Sequence, residues 1–115
     1  MLHLSFGNVK EGQMRDFQAW VKKNEGALSK HAPPGWLYRG TYACVYGFGP
    51  SDMAQLWEIG RYGDLDKGRE HADKEWDRLQ QEMTEFFEPH TTVPAVLLRE
   101  IGDTKIIEPT KKPKK

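Results

Sequence analysis

The sequence predicts an α+β domain of the ferredoxin-like class, in the order βαββαβ. That order makes a four-stranded antiparallel sheet with two helices on one face. Three observations carry this reading. Leu2, Leu4 and Phe6 alternate with His3, Ser5 and Gly7, a strand of period two. The stretch Gly49-Pro50-Ser51-Asp52-Met53-Ala54-Gln55-Leu56-Trp57-Glu58-Ile59 reads as a turn feeding a short strand. A charged, helix-forming segment with an apolar stripe, Asp64 to Glu88, follows it.

Each element has its own signal. After the first strand, Asn8 to Gly12 makes a turn, and a helix is expected from about Gly12 to Lys30. There Met14, Phe17, Trp20, Val21 and Leu28 fall on one helical face. Pro33-Pro34-Gly35 ends it, because proline cannot continue the hydrogen-bond ladder. The second strand is expected over about Trp36 to Phe48. Trp36, Tyr38, Tyr42, Cys44, Tyr46 and Phe48 share one parity, and the other parity is also apolar. Apolar groups on both faces suggest a central strand covered on both sides. A hairpin over 47–52 leads to the third strand, Met53 to Arg61, with Gln55, Trp57 and Ile59 opposite Ala54, Leu56 and Glu58.

Asp64 is a plausible cap for a helical piece reaching Ala72, and Asp73 for a second piece. In the second, Trp76, Leu79, Met83 and Phe86 follow at spacings of 3, 4 and 3. Pro89 stops it. Val93 to Ile101 is the last strand, and its Ala95-Val96-Leu97-Leu98 run reads as buried on both faces. Residues 1–102 form the domain, and 103–115 a basic, flexible tail.

The totals bound the class. The chain has 115 residues, 30% charged and 37% hydrophobic, enough for one globular domain. Its mean hydropathy of −0.76 is low for a stable monomer of this size. A core shared with a second copy would ease that shortage. The helices cover only one sheet face, so two sheets packed face to face are expected in a twofold homodimer. The formal net charge is zero. Five lysines against Asp103 and Glu108 give the tail +3, leaving −3 on the body. An acidic body argues against a nucleic-acid partner, which needs a basic face. No run approaches the roughly 18 apolar residues of a membrane span. The N-terminus has no signal-peptide pattern, and Cys44 is the only cysteine. A cytoplasmic protein is the default.

The turn and strand from Gly49-Pro50 to Gln55-Leu56-Trp57, the helix start Asp73-Lys74-Glu75-Trp76 and the strand from Thr92 to Arg99 resemble the dimeric α/β-barrel superfamily. Within it, the NIPSNAP-like domains look most similar. The resemblance spans roughly residues 2–101. It implies a dimer with facing sheets and, in many relatives, a small-molecule cavity between sheet and helices. Relatives include cofactor-independent monooxygenases, haem-degrading monooxygenases, cyclases, isomerases and members with no known reaction, so it does not fix the chemistry. Haem-degrading relatives use a helix-two histidine as axial ligand, a third-strand tryptophan and a first-strand asparagine. Trp57 matches the tryptophan. His71 follows at a longer interval, and Asn8 falls at the strand's end rather than its middle.

The candidate catalytic residues are His71 and His3, either of which could act as a base. The candidate ligand contacts are Trp57, Tyr42, Tyr46 and Asn8. Aromatic walls with a few polar tips suit flat organic molecules, though such rings more often fill a dimer core or pack against helices. His31 and His90 sit in loops and read as solvated or structural. No histidine pair shares a helical face at metal-ligand spacing, so no metal is expected. Arg39, Arg61 and Arg99 could hold an anion, or pair with Glu58 and Glu100. The leading reading is a homodimer that binds a small apolar or aromatic metabolite, as a cofactor-independent monooxygenase or related enzyme. The alternatives are a non-catalytic NIPSNAP-like stress or interaction module, and a haem-binding monooxygenase.

Overall fold

The computed structural model describes residues 1–46, 51–89 and 95–102. His90, Phe48, the Gly49-Pro50 turn, the expected start of the last strand and the basic tail lie outside them. The elements run β1 (Leu2–Gly7), α1 (Met14–His31), β2 (Trp36–Ala43), β3 (Met53–Ile59), α2 (Gly63–Glu70), α3 (Lys74–Thr84) and β4 (Val96–Leu98). The sheet order is β2-β3-β1-β4, and every pairing is antiparallel. This is the ferredoxin-like arrangement, with the second helical segment broken into two helices.

The order corrects two expectations. β2 is an edge strand, because β3 pairs between it and β1. β4 is the other edge, and its Val96 and Leu98 are exposed rather than buried on both faces. The apolar residues on both parities have another cause. One parity meets the helices and the other lies on the open face of the sheet.

Register shows which is which. His3 pairs with Trp57, Ser5 with Gln55 and Gly7 with Met53. Trp57 packs with Leu28 of α1 and Leu79 of α3, so this parity faces the helices. Leu2, Leu4 and Phe6 therefore point to the open face, beside Ala54, Leu56, Val96 and Leu98. The most apolar side of β1 looks away from the helices.

β2 is irregular. Its register against β3 shifts between Tyr38 and Gly40. Before the shift, Trp36 and Tyr38 lie on the helix side; after it, Tyr42 pairs with Ala54 and joins the open side. A bulge of this kind reverses side-chain parity along a strand. Glycine is required there: φ is +126°, and a Cβ would stand 2.8 Å from the Tyr42 ring. The single parity expected from Trp36 to Phe48 is thus broken at Gly40, and the strand ends at Ala43. Cys44, just beyond, is partly exposed, and burial followed by the nearby Asp52 charge raises its thiol pKa.

Two apolar clusters fill the space between sheet and helices. One joins Val9, Phe17, Val21, Met53 and Met83; the other joins Leu28, Trp57 and Leu79. Leu28 is fully enclosed at 0% exposure, a burial that stabilises by about 1.5–3 kcal/mol. α1 stops at His31 because Ala32 turns extended ahead of Pro33.

The two acidic caps divide. Asp73 caps α3 as expected, its carboxylate accepting the Trp76 N–H at 2.9 Å. Asp64 does not cap α2; it lies inside the first turn, and its Oδ2 accepts the backbone N–H groups of Gly60 and Arg61. Its carboxylate thereby closes the turn that leads into the helix.

Asp73 also receives the His31 ring at 3.1 Å. The Trp76 N–H first, and the His31 contact second, hold its carboxyl below the usual carboxylate range. Its stabilising contribution is therefore present above the unfolded-state pKa of about 3.9 and is lost as pH falls through the lower folded value. Thermal melts from neutral pH down to about pH 3 should show this loss. Asp73→Asn, which keeps an acceptor but no charge, should flatten that part of the acid dependence. Asp73→Ala should lower the melting temperature across the whole range. An Asp73→Asn profile that parallels the parent would assign the acid sensitivity to other groups.

Candidate functional site

The helix-facing side of β3 supplies the site, because strand periodicity sends Met53, Gln55, Trp57 and Ile59 to one face. Trp57 is 2% exposed and stands at the centre of a set of rings. Tyr38, Trp76 and Trp36 meet it edge-on, with centroids 5.1, 5.5 and 6.0 Å away. Such edge-to-face contacts direct positive ring edges at negative ring faces.

Beside these rings a cleft of about 400 Å3 opens between the sheet and the α2–α3 segment. Trp36, Trp57 and Trp76 form its aromatic walls, and His3, Ser5 and Gln55 supply polar groups from the sheet. α3 adds Gln80, and α2 adds Leu65, Gly68 and Arg69. α2 is set against the sheet through Trp36, whose Nε1 donates to the Asp64 carbonyl at 2.7 Å. Gly68 permits that approach, since a Cβ there would stand 2.9 Å from the Trp36 ring.

His3 is the titratable group of the cleft. Burial lowers its pKa, so the imidazole is neutral at physiological pH. Its ring stands edge-on to Trp36 with centroids 5.0 Å apart. Nδ1 is buried and has no hydrogen-bond partner among the described residues. An unsatisfied buried nitrogen costs free energy and is uncommon in folded proteins.

The six expected site residues do not converge. His3 and Trp57 line the cleft together. His71 follows the end of α2 and its Nε2 donates to the His31 carbonyl at 2.7 Å, with its ring edge-on to Trp76. It ties the α2–α3 junction to the end of α1 and lies outside the cleft lining. Asn8 follows β1, where its Oδ1 accepts the Asp52 N–H at 3.1 Å. Asp52 returns a bond from the Val9 N–H, so Asn8 and Asp52 join the two chain segments. Tyr42 lies beyond the Gly40 bulge, its hydroxyl donating to the Arg39 carbonyl. It borders a separate groove of about 390 Å3 between α1 and the edge of β2, with Phe17, Val21, Lys22 and Glu25. Tyr46 is 94% exposed past the end of β2.

Of His71, Trp57 and Asn8, the cleft lining therefore includes Trp57 alone. Among the described residues no group of three or more His, Cys, Asp or Glu side chains could hold a metal ion. Arg39 pairs with Glu58 across the strands at 2.7 Å, which leaves it committed to the sheet.

Gln55, Ser5, Gln80 and Trp36 are among the cleft residues that were not candidates from the sequence. Gln55 did carry a signal. A glutamine that shares parity with Trp57 and Ile59 on a buried strand face needs hydrogen-bond partners in the core.

The chain superposes on the crystal structure of an uncharacterized NIPSNAP domain protein from Burkholderia xenovorans with a TM-score of 0.64, covering 90% of this chain and 98% of that one. The fold is that of a NIPSNAP-like domain. Sequence identity over the match is 13%, so the likeness is one of fold. No family model and no curated protein matches the sequence. Among the described residues, no helix is long and apolar enough to cross a membrane.

Proposed function

We propose that this NIPSNAP-like domain binds a small apolar or aromatic molecule in the cleft between sheet and helices, and that it does so as a homodimer joined through the open sheet faces. The observation that carries the binding reading is the cleft itself. It has about 400 Å3 of space, three tryptophan walls and a few placed polar groups, the usual make-up of a small-molecule site. A fully packed sheet–helix interface would have favoured a purely structural role for the same rings.

The open face supports the dimer. Leu2, Leu56, Val96 and Leu98 share it, Val96 and Leu98 are exposed, and among the described residues no helix lies on that side of the sheet. Covering that surface with its own copy is the symmetric solution.

His3 supports a catalytic form of the reading. A neutral imidazole with an unpartnered nitrogen beside the cleft is equipped to accept a proton from a bound molecule. His71 is less suited, since its Nε2–H is already bound to the His31 carbonyl. Cofactor-independent oxygenation and related proton-abstraction reactions belong to this form.

Native mass spectrometry of freshly purified protein tests binding and assembly together. The expected result is a dimer mass with retained small molecules, lost on Gly68→Leu, which sends a side chain toward Trp36 at the cleft. Bare monomer, together with a fragment screen that never perturbs the Trp57 indole resonance, would refute the proposal.

A further inference from the structure

Gln55 sits in the middle of a hydrogen-bonded chain that crosses the domain. Trp57 Nε1 donates to Gln55 Oε1 at 2.9 Å. An indole N–H can only donate, so the amide atom facing it must be oxygen. Gln55 Nε2 then donates to Thr41 Oγ1 at 3.0 Å and to Met83 Sδ at 3.4 Å. Thr41 Oγ1 lies 2.6 Å from the Tyr38 hydroxyl, which donates to Glu25 Oε1 at 2.9 Å.

The far end fixes the direction independently. A carboxylate only accepts, so the Tyr38 proton is committed to Glu25. Thr41 must therefore donate its own proton to Tyr38 and receive one from Gln55. The indole at one end and the carboxylate at the other impose the same orientation on the amide. Both N–H groups of Gln55 are spent, and its carbonyl oxygen keeps one lone pair open.

Gln55 is 4% exposed and lines the cleft, so what it can offer there is an acceptor. The remaining surroundings carry no buried charge. His3 is neutral, and the one charged side chain lining the cleft among the described residues is Arg69, which is 83% exposed.

We infer that the cleft selects an uncharged, flat ring compound that presents an N–H or O–H donor to Gln55 Oε1. Anions and ring compounds offering only acceptors are disfavoured. The inference rests on the ligand-binding reading above. A ligand acceptor placed against a pinned carbonyl sets lone pair against lone pair and leaves both desolvated. Discrimination of that origin is on the order of tenfold or more.

Indole and benzofuran make the test, since they share a bicyclic shape and differ in a ring N–H against a ring oxygen. The 15N-labelled full chain is titrated with each, following the Trp57 indole N–H resonance. Indole should bind at least about tenfold more tightly. Gln55→Met, which keeps the volume and removes the acceptor, should bring the ratio close to one. Thr41→Val, which lies outside the cleft lining, should free one Gln55 N–H and narrow the ratio by improving benzofuran. It decides the matter if Gln55→Met fails to fold. Equal binding of both probes to the parent protein would overturn the donor rule while leaving the cleft as a binding site. Binding of neither would overturn the ligand-binding reading as well. A preference that survives in the variants would also overturn the rule, because its source would not be Gln55.

Discussion

Trp57→Ala is expected to lower the free energy of unfolding by about 3–5 kcal/mol, the range for deleting a large buried aromatic ring. The native side chain is enclosed by Tyr38, Trp36 and Trp76 and packs on Leu28 and Leu79. Alanine would leave those rings facing a cavity too large to collapse. It would also take the donor from Gln55 Oε1, and with it the fixed sense of the chain running to Glu25. Domains of this size are stable by roughly 5–15 kcal/mol in total, so the loss is a large share. Urea unfolding followed by circular dichroism should show the midpoint falling by roughly 2 M. Trp57→Phe keeps most of the ring surface and should cost less than half as much. A cost for alanine below about 1 kcal/mol would mean that Trp57 is not what holds this end of the core together.

Leu56→Arg is expected to halve the mass of the protein in sedimentation experiments. Leu56 lies on the central strand β3, opposite Leu4 on one side and Gly40 on the other, in the middle of the open face. In the proposed dimer a twofold axis would bring this residue near its own copy, so one substitution places two guanidinium groups in an apolar interface. Burying them costs several kcal/mol, enough to separate the subunits at micromolar concentration. The separated chain should keep its fold, because on an open face an arginine can lay its stem on the sheet and leave its charge in water. A parent protein that is already monomeric would refute the dimer. A variant that stays dimeric would move the interface to another surface.

The order of elements and the faces of β3 were legible because period two and helical spacing are strong local signals. Gln55, Trp57 and Ile59 do share one side, and Asp73 does open α3. The position of β2 in the sheet was not legible. Its two apolar parities answer to two different environments, the helices and the open face, and a strand with both can sit at an edge. The side on which Tyr42 emerges was hidden for a narrower reason: one glycine changes the register.

The site was legible in the same uneven way. His3 and Trp57 could be chosen as a histidine and a tryptophan on neighbouring strands, and register brings them opposite each other. His71 could not be placed, because the break between α2 and α3 turns it toward the His31 carbonyl instead of the cleft. Asn8 was a candidate ligand contact in the sequence and is engaged with Asp52, a partner 44 positions away. Nothing local announces a bond over that distance. Gln55 stood in plain view, but its meaning depends on Thr41, Met83 and Trp57 meeting it at once.

The Gly40 bulge bears on more than the direction of Tyr42. β2 forms one rim of the sheet, with its outer backbone groups unmatched by any strand among the described residues. A regular rim is a template on which other polypeptides can add strands and begin to aggregate. The register break in the middle of β2 divides that template into two short pieces, and Arg39 adds a charge beside the break. The irregularity that turns Tyr42 out of the cleft also shortens the regular edge on which another chain could pair.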